Sequence, residues 1–425
     1  MPRFLLISPI YTASALTGGG QRTLHLYEAL SRLGTVDVLL VSERVCGHLE
    51  REMPAFRAAF TGAEEIIVQR STEQFLWTPS PSAGTLEKLL HPFRRVYHGM
   101  RAPEHFYAPT PRALATLNGL VESRQYDAIF GRYLQATALS GALAQDQAPV
   151  LVDLDDLDEF VVSSRAASPT TSRLRRLALQ LRLVKLVPLA RELRARCRHV
   201  FTATEADRLA IDHPSSSVLP NIPFRPRGFV APPAAPDSQV VLFVGTYEHR
   251  VNREGVYHFV TRCWPSIHRA VPGARFRVVG SGSWERVRVQ LQSQPGVEVV
   301  GKIDDLYGEY AAAALCVAPL HEGSGTKIKV LEALLYGRVV VATSHSTRGF
   351  EDLLQGGVVE ATSDRQMVEH CMNLLKDPAR RESMAATGGL LVAARYSSDA
   401  IVHIVERALG TVHAAATSRT REVTS

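Results

Sequence analysis

Cysteine is scarce in this chain, and its placement indicates no structural use. The five cysteines are odd in number and form no Cys-x-x-Cys pair. A disulfide framework or a structural zinc site would need cysteines paired at short, regular spacings. We therefore expect neither, and the composition fits a reducing compartment.

Long hydrophobic runs are also missing. The stretch Met1–Pro9 has one basic residue and an apolar run too short for a signal sequence, and no other apolar stretch approaches the roughly 20 residues of a spanning helix. The net charge of +6 is modest for 425 residues, so the sequence does not predict nucleic-acid binding. These absences favour a globular, cytoplasmic protein.

Two nucleotide-binding fingerprints are absent as well. The chain has no Gly-Lys-Ser/Thr at the spacing of a P-loop, and no Gly-x-Gly-x-x-Gly opens it. The sequence therefore supports neither a P-loop ATPase nor a dinucleotide-binding enzyme.

The chain does contain a regular alternation of strand-like apolar runs and helical patterns. This alternation predicts an α/β protein with doubly wound parallel sheets, whose ligands collect at the carboxyl ends of the strands. A proline-rich stretch at 223–236 interrupts it, and 425 residues suffice for two such domains. The predicted strands are residues 4–10, 36–41, 65–69, 128–130, 150–154, 200–203 and 218–219, then 240–245, 276–280, 297–301, 315–318, 339–342 and 358–360.

The most informative stretch is residues 316–350, CVAPLHEGSGTKIKVLEALLYGRVVVATSHSTRGF. An apolar run meets a glycine turn at 323–325, and a helical pattern then leads to Gly337 and a second β-branched run. Glycines let a ligand approach the unpaired N–H groups of a helix start, where the dipole favours an anion such as phosphate. Lys327 and Lys329 in the first turn are unfavourable unless an anion binds there. The alternative is a tight turn with solvated lysines.

Glu332 lies one turn further along, on the side of Lys329, where a carboxylate can accept hydrogen bonds from sugar hydroxyls. Together with Pro319, Gly337, Thr343 and Gly349, this run resembles the nucleotide-sugar-dependent retaining glycosyltransferases of family 4 (group 1). The resemblance implies two facing Rossmann-like domains of GT-B architecture. It implies transfer of a sugar from a nucleotide diphosphate sugar to an acceptor hydroxyl, with retention of configuration, in the biosynthesis of a polysaccharide, glycolipid or other glycoconjugate.

The resemblance also implies a donor site with no cofactor and no obligatory metal. By this resemblance Glu332 takes the ribose. We assign Lys327 to the diphosphate as a catalytic cation, because it lies at a helix start already suited to phosphate. Backbone groups at Gly282 and Gly301 enclose the nucleobase. The complete set of implied donor-binding residues is Gly19, Gly20, Arg22, Gly245, Gly282, Gly301, Ser324, Gly325, Thr326, Lys327, Glu332 and Gly349.

The chain departs from the family at three places. The family has a second glutamate eight positions before the ribose glutamate, and Ser324 stands there, so Glu322 replaces it only if the loop shifts. An arginine and a lysine usually follow the glycine that ends the first strand of the second domain, and Thr246 and Glu254 stand at these places. The candidates to compensate are Lys327, which we favour, and Arg22, Arg250 and Arg253.

The third departure concerns a strand end with three carboxylates, Asp153, Asp155 and Asp156. Asp155 stands where many relatives have a histidine near the reacting sugar, so we assign it a catalytic role. The alternative is a cap for the next helix. Because these family residues are absent, a donor-binding or regulatory subunit without chemistry remains an alternative function, and a sugar-nucleotide epimerase is a weaker one.

The segment 165–198 contains ten basic residues and the single acid Glu192, with leucines interleaved. This composition is typical of a helix at the surface of an anionic membrane, and the alternative is a solvated basic face. The expected partners are a nucleotide-sugar donor and a glycan, lipid-linked or small-molecule acceptor. The protein is then cytoplasmic, or peripheral on the inner face of a membrane through this segment.

These patterns divide the chain into four parts. Residues 1–225 form an acceptor-side domain, 226–236 a linker, and 237–395 a nucleotide-sugar-binding domain. Residues 396–425 form a helix with a polar tail, and the resemblance implies that this helix packs back on the first domain.

Overall fold

The computed structural model describes residues 1–9, 18–42, 49–70, 103–167, 171–223, 229–233, 235–303, 305–322 and 326–423. The chain divides into two compact units. Unit 1 comprises Met1–Pro220 with Ile401–Ser425, and unit 2 comprises Asn221–Ala400. Each unit is built around one parallel sheet, which confirms the predicted α/β class with two doubly wound domains.

Unit 1 has a seven-stranded sheet in the order β3-β2-β1-β4-β5-β6-β7. The central strands β1, β4 and β5 are buried along nearly their whole length, as expected for a parallel sheet covered on both faces. The strands are β1 (Arg3–Pro9), β2 (Thr35–Ser42), β3 (Ile66–Arg70), β4 (Ala128–Arg132), β5 (Val150–Leu154), β6 (His199–Thr202) and β7 (Ser216–Val218).

The described helices of unit 1 follow these strands along the chain. They are α1 (Gly18–Leu33), α2 (Leu49–Ala59), α3 (Pro111–Arg124), α4 (Leu134–Leu139), α5 (Asp158–Ala167), α6 (Arg173–Ala195) and α7 (Glu205–Ile211), with short 3₁₀ helices at Pro103–Phe106 and Ala142–Ala144. The predicted insertion at 71–110 lies mostly outside the described residues.

Unit 2 has a six-stranded sheet in the order β10-β9-β8-β11-β12-β13. Its core contains fully buried aromatic side chains, among them Phe259, Trp264 and Phe276. The strands are β8 (Val240–Val244), β9 (Arg275–Val279), β10 (Val297–Gly301), β11 (Leu315–Ala318), β12 (Val340–Thr343) and β13 (Val358–Ala361).

The described helices of unit 2 are α8 (Arg250–His258), α9 (Trp264–Ala270), α10 (Glu285–Leu291), α11 (Tyr307–Ala312), α12 (Ile328–Leu335), α13 (Ser344–Thr347), α14 (Asp364–Lys376) and α15 (Pro378–Arg395). A π-helical turn at Phe259–Cys263 joins α8 to α9, and a 3₁₀ helix spans Glu351–Gln355. The last helix, α16 (Ser398–Val423), continues through the segment predicted as a polar tail, because the alanines before it favour helix.

Two buried arginines fix the proline-rich segment to unit 2. Arg338 donates a 2.7 Å hydrogen bond to the carbonyl of Pro233, and Arg381 donates a 2.8 Å hydrogen bond to the carbonyl of Pro236. These contacts satisfy backbone carbonyls that no strand partner reaches. These proline-rich residues therefore belong to unit 2, which begins at Asn221.

The predicted strand at 218–219 is wrong by about two residues in position. β7 spans Ser216–Val218, because Ser216 and Ser217 pair with Val200 and Phe201 of β6. The β-propensity of serine does not predict a strand here. These residues are in a strand because they pair with β6 at the edge of the sheet.

Candidate functional site

Three glycine-containing connections meet at the carboxyl ends of β8, β9 and β10. Gly280 has φ +146°, and a Cβ there would lie 2.1 Å from the carbonyl oxygen of Gly245, so only glycine fits. The Gly280 N–H donates to the Gly301 carbonyl at 2.9 Å, and the Trp284 indole N–H donates to the Gly245 carbonyl at 2.9 Å. The structure thus brings Gly245, Gly280 and Gly301 together, backbone against backbone.

Helix α12 begins after the carboxyl end of β11, a strand of the same sheet as β8, β9 and β10. Lys327 occupies the N-cap position and is 8% exposed, and the first turn contains no acidic residue. The Thr326 hydroxyl accepts a 2.6 Å hydrogen bond from the side-chain amide of Asn221. Ser324 and Gly325, assigned to the donor from the sequence, lie outside the described residues. The positive end of the helix dipole and the lysine therefore coincide.

Lys329 links this helix to the connection after β8. Its Nζ donates to Asn252 Oδ1 at 2.7 Å and lies 4.2 Å from the centre of the Phe243 ring. Asn252 in turn donates to the carbonyl oxygen of Thr246 at 2.8 Å. Burial, first, and the charge of Lys327 lower the pKa of Lys329 to about 7, while the charge of Glu332 opposes them.

Lys329 is a site residue that the sequence reasoning did not assign. The resembled family has an arginine after the first strand of this domain and a lysine some residues further on, where this chain has Thr246 and Glu254. Lys329 reaches the same connection from α12 through Asn252. The sequence indicated that Lys329 lies on the helix face of Glu332 and that an anion could bind at this turn, but it gave Lys329 no separate role.

Glu332 is held by a tyrosine from the neighbouring helix. The hydroxyl of Tyr310 in α11 donates to Glu332 Oε2 at 3.0 Å. Burial raises the pKa of Glu332, while the Tyr310 hydrogen bond and the charge of Lys329 oppose that rise. Lys329 and Glu332 thus form an electrostatically coupled pair on one face of α12.

The other cations considered near this site have partners of their own. Arg250 forms ion pairs with Glu254 at 2.9 Å and with Glu322 at 2.5 Å. Arg253 donates to the carbonyl of Tyr247 at 2.8 Å. Glu322, the stand-in for the family's other glutamate, is therefore bound to Arg250.

Two further glycines assigned to the donor have left-handed backbones. Gly282 has φ +92°, and a Cβ there would collide with the Glu248 carboxylate. Gly349 has φ +85°, and its N–H donates to Glu351 Oε1 at 2.9 Å. Both positions therefore favour glycine for conformational reasons alone.

In unit 1, a buried network of ion pairs joins α1 to the ends of β4 and β5. Arg22 in α1 binds Asp153 with two hydrogen bonds, of 2.9 and 2.6 Å. Arg132 also donates to Asp153, and it donates to the hydroxyl of Thr23 at 3.1 Å and to the carbonyl of Gly19 at 3.2 Å. Desolvation works against both arginines, and the nearby carboxylates, Asp153 first, outweigh it and raise the pKa of Arg22 and Arg132.

Asp155 lies at the edge of this network. Its Oδ2 accepts a 3.1 Å hydrogen bond from the Tyr133 hydroxyl and lies 3.5 Å from Arg132 Nη2, and its Oδ1 lies 4.0 Å from Arg22 Nε. Tyr133 has φ +62°, an unfavourable conformation for a tyrosine that is often found at functional sites. The structure thus brings Gly19, Arg22 and Asp155 into one cluster in unit 1, with Gly20 beside Gly19 in α1. Neither Arg132 nor Tyr133 was predicted.

Comparison with known proteins finds a family match in unit 2. Residues 238–377 match the protein family described as glycosyl transferases group 1. Unit 2 contains a glycosyl transferases group 1 domain. The matched range includes the Gly245 connection and all of α12.

A mannosyltransferase of Corynebacterium glutamicum is 30% identical to the chain over 147 residues, a match that covers 32% of this chain. It is described as a GDP-mannose-dependent monoacylated alpha-(1-6)-phosphatidylinositol monomannoside mannosyltransferase. The match spans 39% of that relative's length.

Solved structures show the same fold at low sequence identity. Sucrose-phosphate synthase from Thermosynechococcus elongatus has a TM-score of 0.63 at 16% identity and covers 98% of this chain and 100% of its own. TarM from S. aureus has a TM-score of 0.65 at 11% identity, and the match covers 96% of this chain and 98% of the TarM chain. Anabaena HepE in complex with UDP and glucose has a TM-score of 0.59 at 13% identity, and the match covers 97% of this chain and 100% of the HepE chain. The fold is that of GT-B glycosyltransferases.

Proposed function

We propose that the protein is a retaining glycosyltransferase that moves a sugar from a nucleotide diphosphate sugar to an acceptor hydroxyl. One observation carries the proposal. Within the group 1 domain, α12 begins at Lys327 and presents Lys329 and Glu332 on one face, and Lys329 is bonded through Asn252 to the connection after β8. This arrangement suits a ligand with a diphosphate next to a ribose.

The cations of α12 would act on the leaving group. Transfer makes negative charge on the departing diphosphate, so preorganised positive groups lower the barrier. Lys327 at the helix N-terminus and Lys329 beneath the β8 connection supply two such groups. In this proposal they take the place of the family's arginine and lysine, and no metal is obligatory for the transfer.

Glu332 is proposed to bind the ribose. A carboxylate that accepts hydrogen bonds from two neighbouring hydroxyls gives charge-assisted bonds of about 1.5–3 kcal/mol. Tyr310 holds Oε2 of Glu332 at 3.0 Å and so fixes the orientation of the carboxylate. Asp155 is proposed to stabilise positive character on the sugar ring.

The acceptor is proposed to be linked to a lipid. The relative from Corynebacterium glutamicum is named for a phosphatidylinositol mannoside. In this chain Leu174, Leu177, Leu181 and Val184 on α6 are 54–83% exposed, and their spacing puts them on one side of the helix. Arg173, Lys185 and Arg191, also exposed, lie beside this stripe. An apolar stripe flanked by cations fits an anionic bilayer surface. No described helix is long and apolar enough to cross a membrane.

A donor panel tests the transfer. Purified protein is incubated with UDP- and GDP-sugars, and release of the nucleoside diphosphate is measured with and without lipid extract. We expect release from at least one donor, lowered about 10²-fold in Lys327→Ala by analogy with the loss of one preorganised donor. Tight binding without release from any donor would favour a donor-binding subunit, and an epimerised sugar would favour an epimerase.

Vesicle sedimentation tests the lipid surface. Binding to phosphatidylglycerol vesicles should fall with salt, and it should fall in the variant with Arg173, Lys185 and Arg191 replaced by Glu. The control replaces the exposed residues Arg286, Arg288 and Arg380 of unit 2 by Glu, which changes the net charge equally. Equal loss in both variants, or no binding at low salt, would refute the α6 assignment.

A further inference from the structure

Two histidines and an aspartate form a cluster in unit 2, outside the residues assigned to the donor. His258 is the last residue of α8, His321 follows β11, and Asp364 is the first residue of α14. One nitrogen of each imidazole and one carboxylate oxygen all lie within 4.8 Å of one another. Because the three residues come from distant segments, no local sequence spacing reveals the cluster.

The geometry needs little change to hold an ion. His258 Nε2 lies 2.8 Å from Asp364 Oδ1, and the rings of His258 and His321 lie 4.6 Å apart, inclined by 63°. Around an ion with bonds of about 2.0–2.1 Å, ligand atoms lie roughly 3–3.4 Å apart. Small side-chain rotations bring the cluster to that spacing, and partial exposure of the side chains of His258 (37%) and Asp364 (45%) leaves room for them.

The cluster opens into a cavity of about 150 Å³ at the carboxyl ends of β11, β12 and β13. His345, Ser344 and Thr362 line the same cavity, so polar groups surround the open side of the cluster. A π-helical turn begins directly after His258, and such turns are frequent at functional sites. The surroundings therefore suit an ion that keeps open positions for water or another ligand.

We propose that His258, His321 and Asp364 bind one divalent transition-metal ion of the Zn²⁺ class. Imidazole nitrogens with one carboxylate suit Zn²⁺, Co²⁺ or Ni²⁺, whereas Mg²⁺ and Ca²⁺ prefer sites made of oxygen. The ion joins α8, α14 and the segment after β11. None of its three ligands is a residue assigned to the proposed transfer reaction.

Metal titration tests the proposal. Protein purified without a polyhistidine tag and stripped with EDTA is titrated with Co²⁺ while visible absorption is recorded, and then with Zn²⁺ in competition. We expect one Co²⁺ per chain, displacement by Zn²⁺, and a melting temperature raised by Zn²⁺. His321→Ala and Asp364→Asn should each weaken binding about tenfold or more.

The matched control is His403→Ala. His403 lies 3.7 Å from Glu406 on α16, a histidine–carboxylate pair outside the cluster, and its loss should leave Co²⁺ binding unchanged. The proposal is wrong if the parent shows no saturable Co²⁺ binding, or if binding persists unchanged in His321→Ala. His321 is exposed, so this variant decides the question even if Asp364→Asn folds poorly.

Discussion

Donor binding should be coupled to uptake of a proton by Lys329. Burial holds the pKa of Lys329 at about 7, so near neutral pH about half of the free protein has an uncharged amine at this position. A diphosphate beside it favours the ammonium form and raises the pKa toward its ordinary value, about 10.4. The diphosphate of a nucleotide sugar has no proton that titrates between pH 7 and 9. We therefore assign proton uptake on donor binding in this range to the protein.

The size of the effect follows from the two pKa values. If the bound state stays protonated, the dissociation constant at pH 9 should exceed that at pH 7 by about 50-fold, or about 2.3 kcal/mol. Calorimetry at pH 7.5 and 8.5, in buffers of different ionisation enthalpy, measures the protons taken up per donor bound. We expect uptake to approach one proton at the higher pH.

Two variants isolate Lys329 in this measurement. Lys329→Met should bind more weakly and without proton uptake, and Lys302→Met, at an exposed lysine, should behave like the parent. Affinity that is flat from pH 7 to 9, or uptake that persists in Lys329→Met, would refute the placement of the diphosphate beside Lys329.

Three further predictions concern stability and the proposed roles. The pKa of Lys329 is lower in the folded protein than in the unfolded chain, so the unfolded chain binds more protons between about pH 7 and 10.5. The parent therefore gains stability as the pH rises through that window. The melting temperature of Lys329→Met minus that of the parent should be larger at pH 6 than at pH 10. Glu332→Gln should weaken donor binding about tenfold or more, with little change in melting temperature, and unchanged affinity would argue against the ribose contact. Asp155→Asn should lower the turnover rate with little change in donor affinity. It should also lower the melting temperature, because Arg22 and Arg132 then share the single carboxylate of Asp153. Full activity in this variant would exclude a catalytic role for Asp155.

The sequence was sufficient to predict the sheets, because parallel strands buried on both faces are continuous apolar runs. The runs at 150–154, 297–301 and 315–318 match β5, β10 and β11 in both bounds. Strands at the sheet edge were harder to place, since Ser216 and Ser217 are in a strand only because β6 lies beside them.

The site was predictable where the chemistry is local in sequence. Gly-Ser-Gly-Thr-Lys before an apolar helical pattern identified the start of α12, with Lys327 and Glu332. Asn252 and Tyr310 come from other segments and meet Lys329 and Glu332 only through the fold. No spacing rule connects residues that distant along the chain, so these partners could not be predicted.

The same limit applied in unit 1. Arg22 was predicted to face the donor, and the structure pairs it with Asp153, across the ends of α1 and β5. A buried arginine needs a carboxylate, but several acids lie in this part of the chain and the sequence does not say which one it meets. The donor role of Arg22 stays a prediction, and in the structure it is paired with Asp153.

The anomeric signal of the transferred sugar shows whether the protein transfers a sugar with retention of configuration. ¹H NMR follows the anomeric proton while the purified protein consumes the donor that the panel finds active, in the presence of acceptor. For a retaining transferase, the donor signal is replaced by a glycoside signal of the same configuration, and Lys327→Ala slows the replacement about 10²-fold. A first product of opposite configuration, or a donor signal unchanged across the whole panel, would contradict the proposed function.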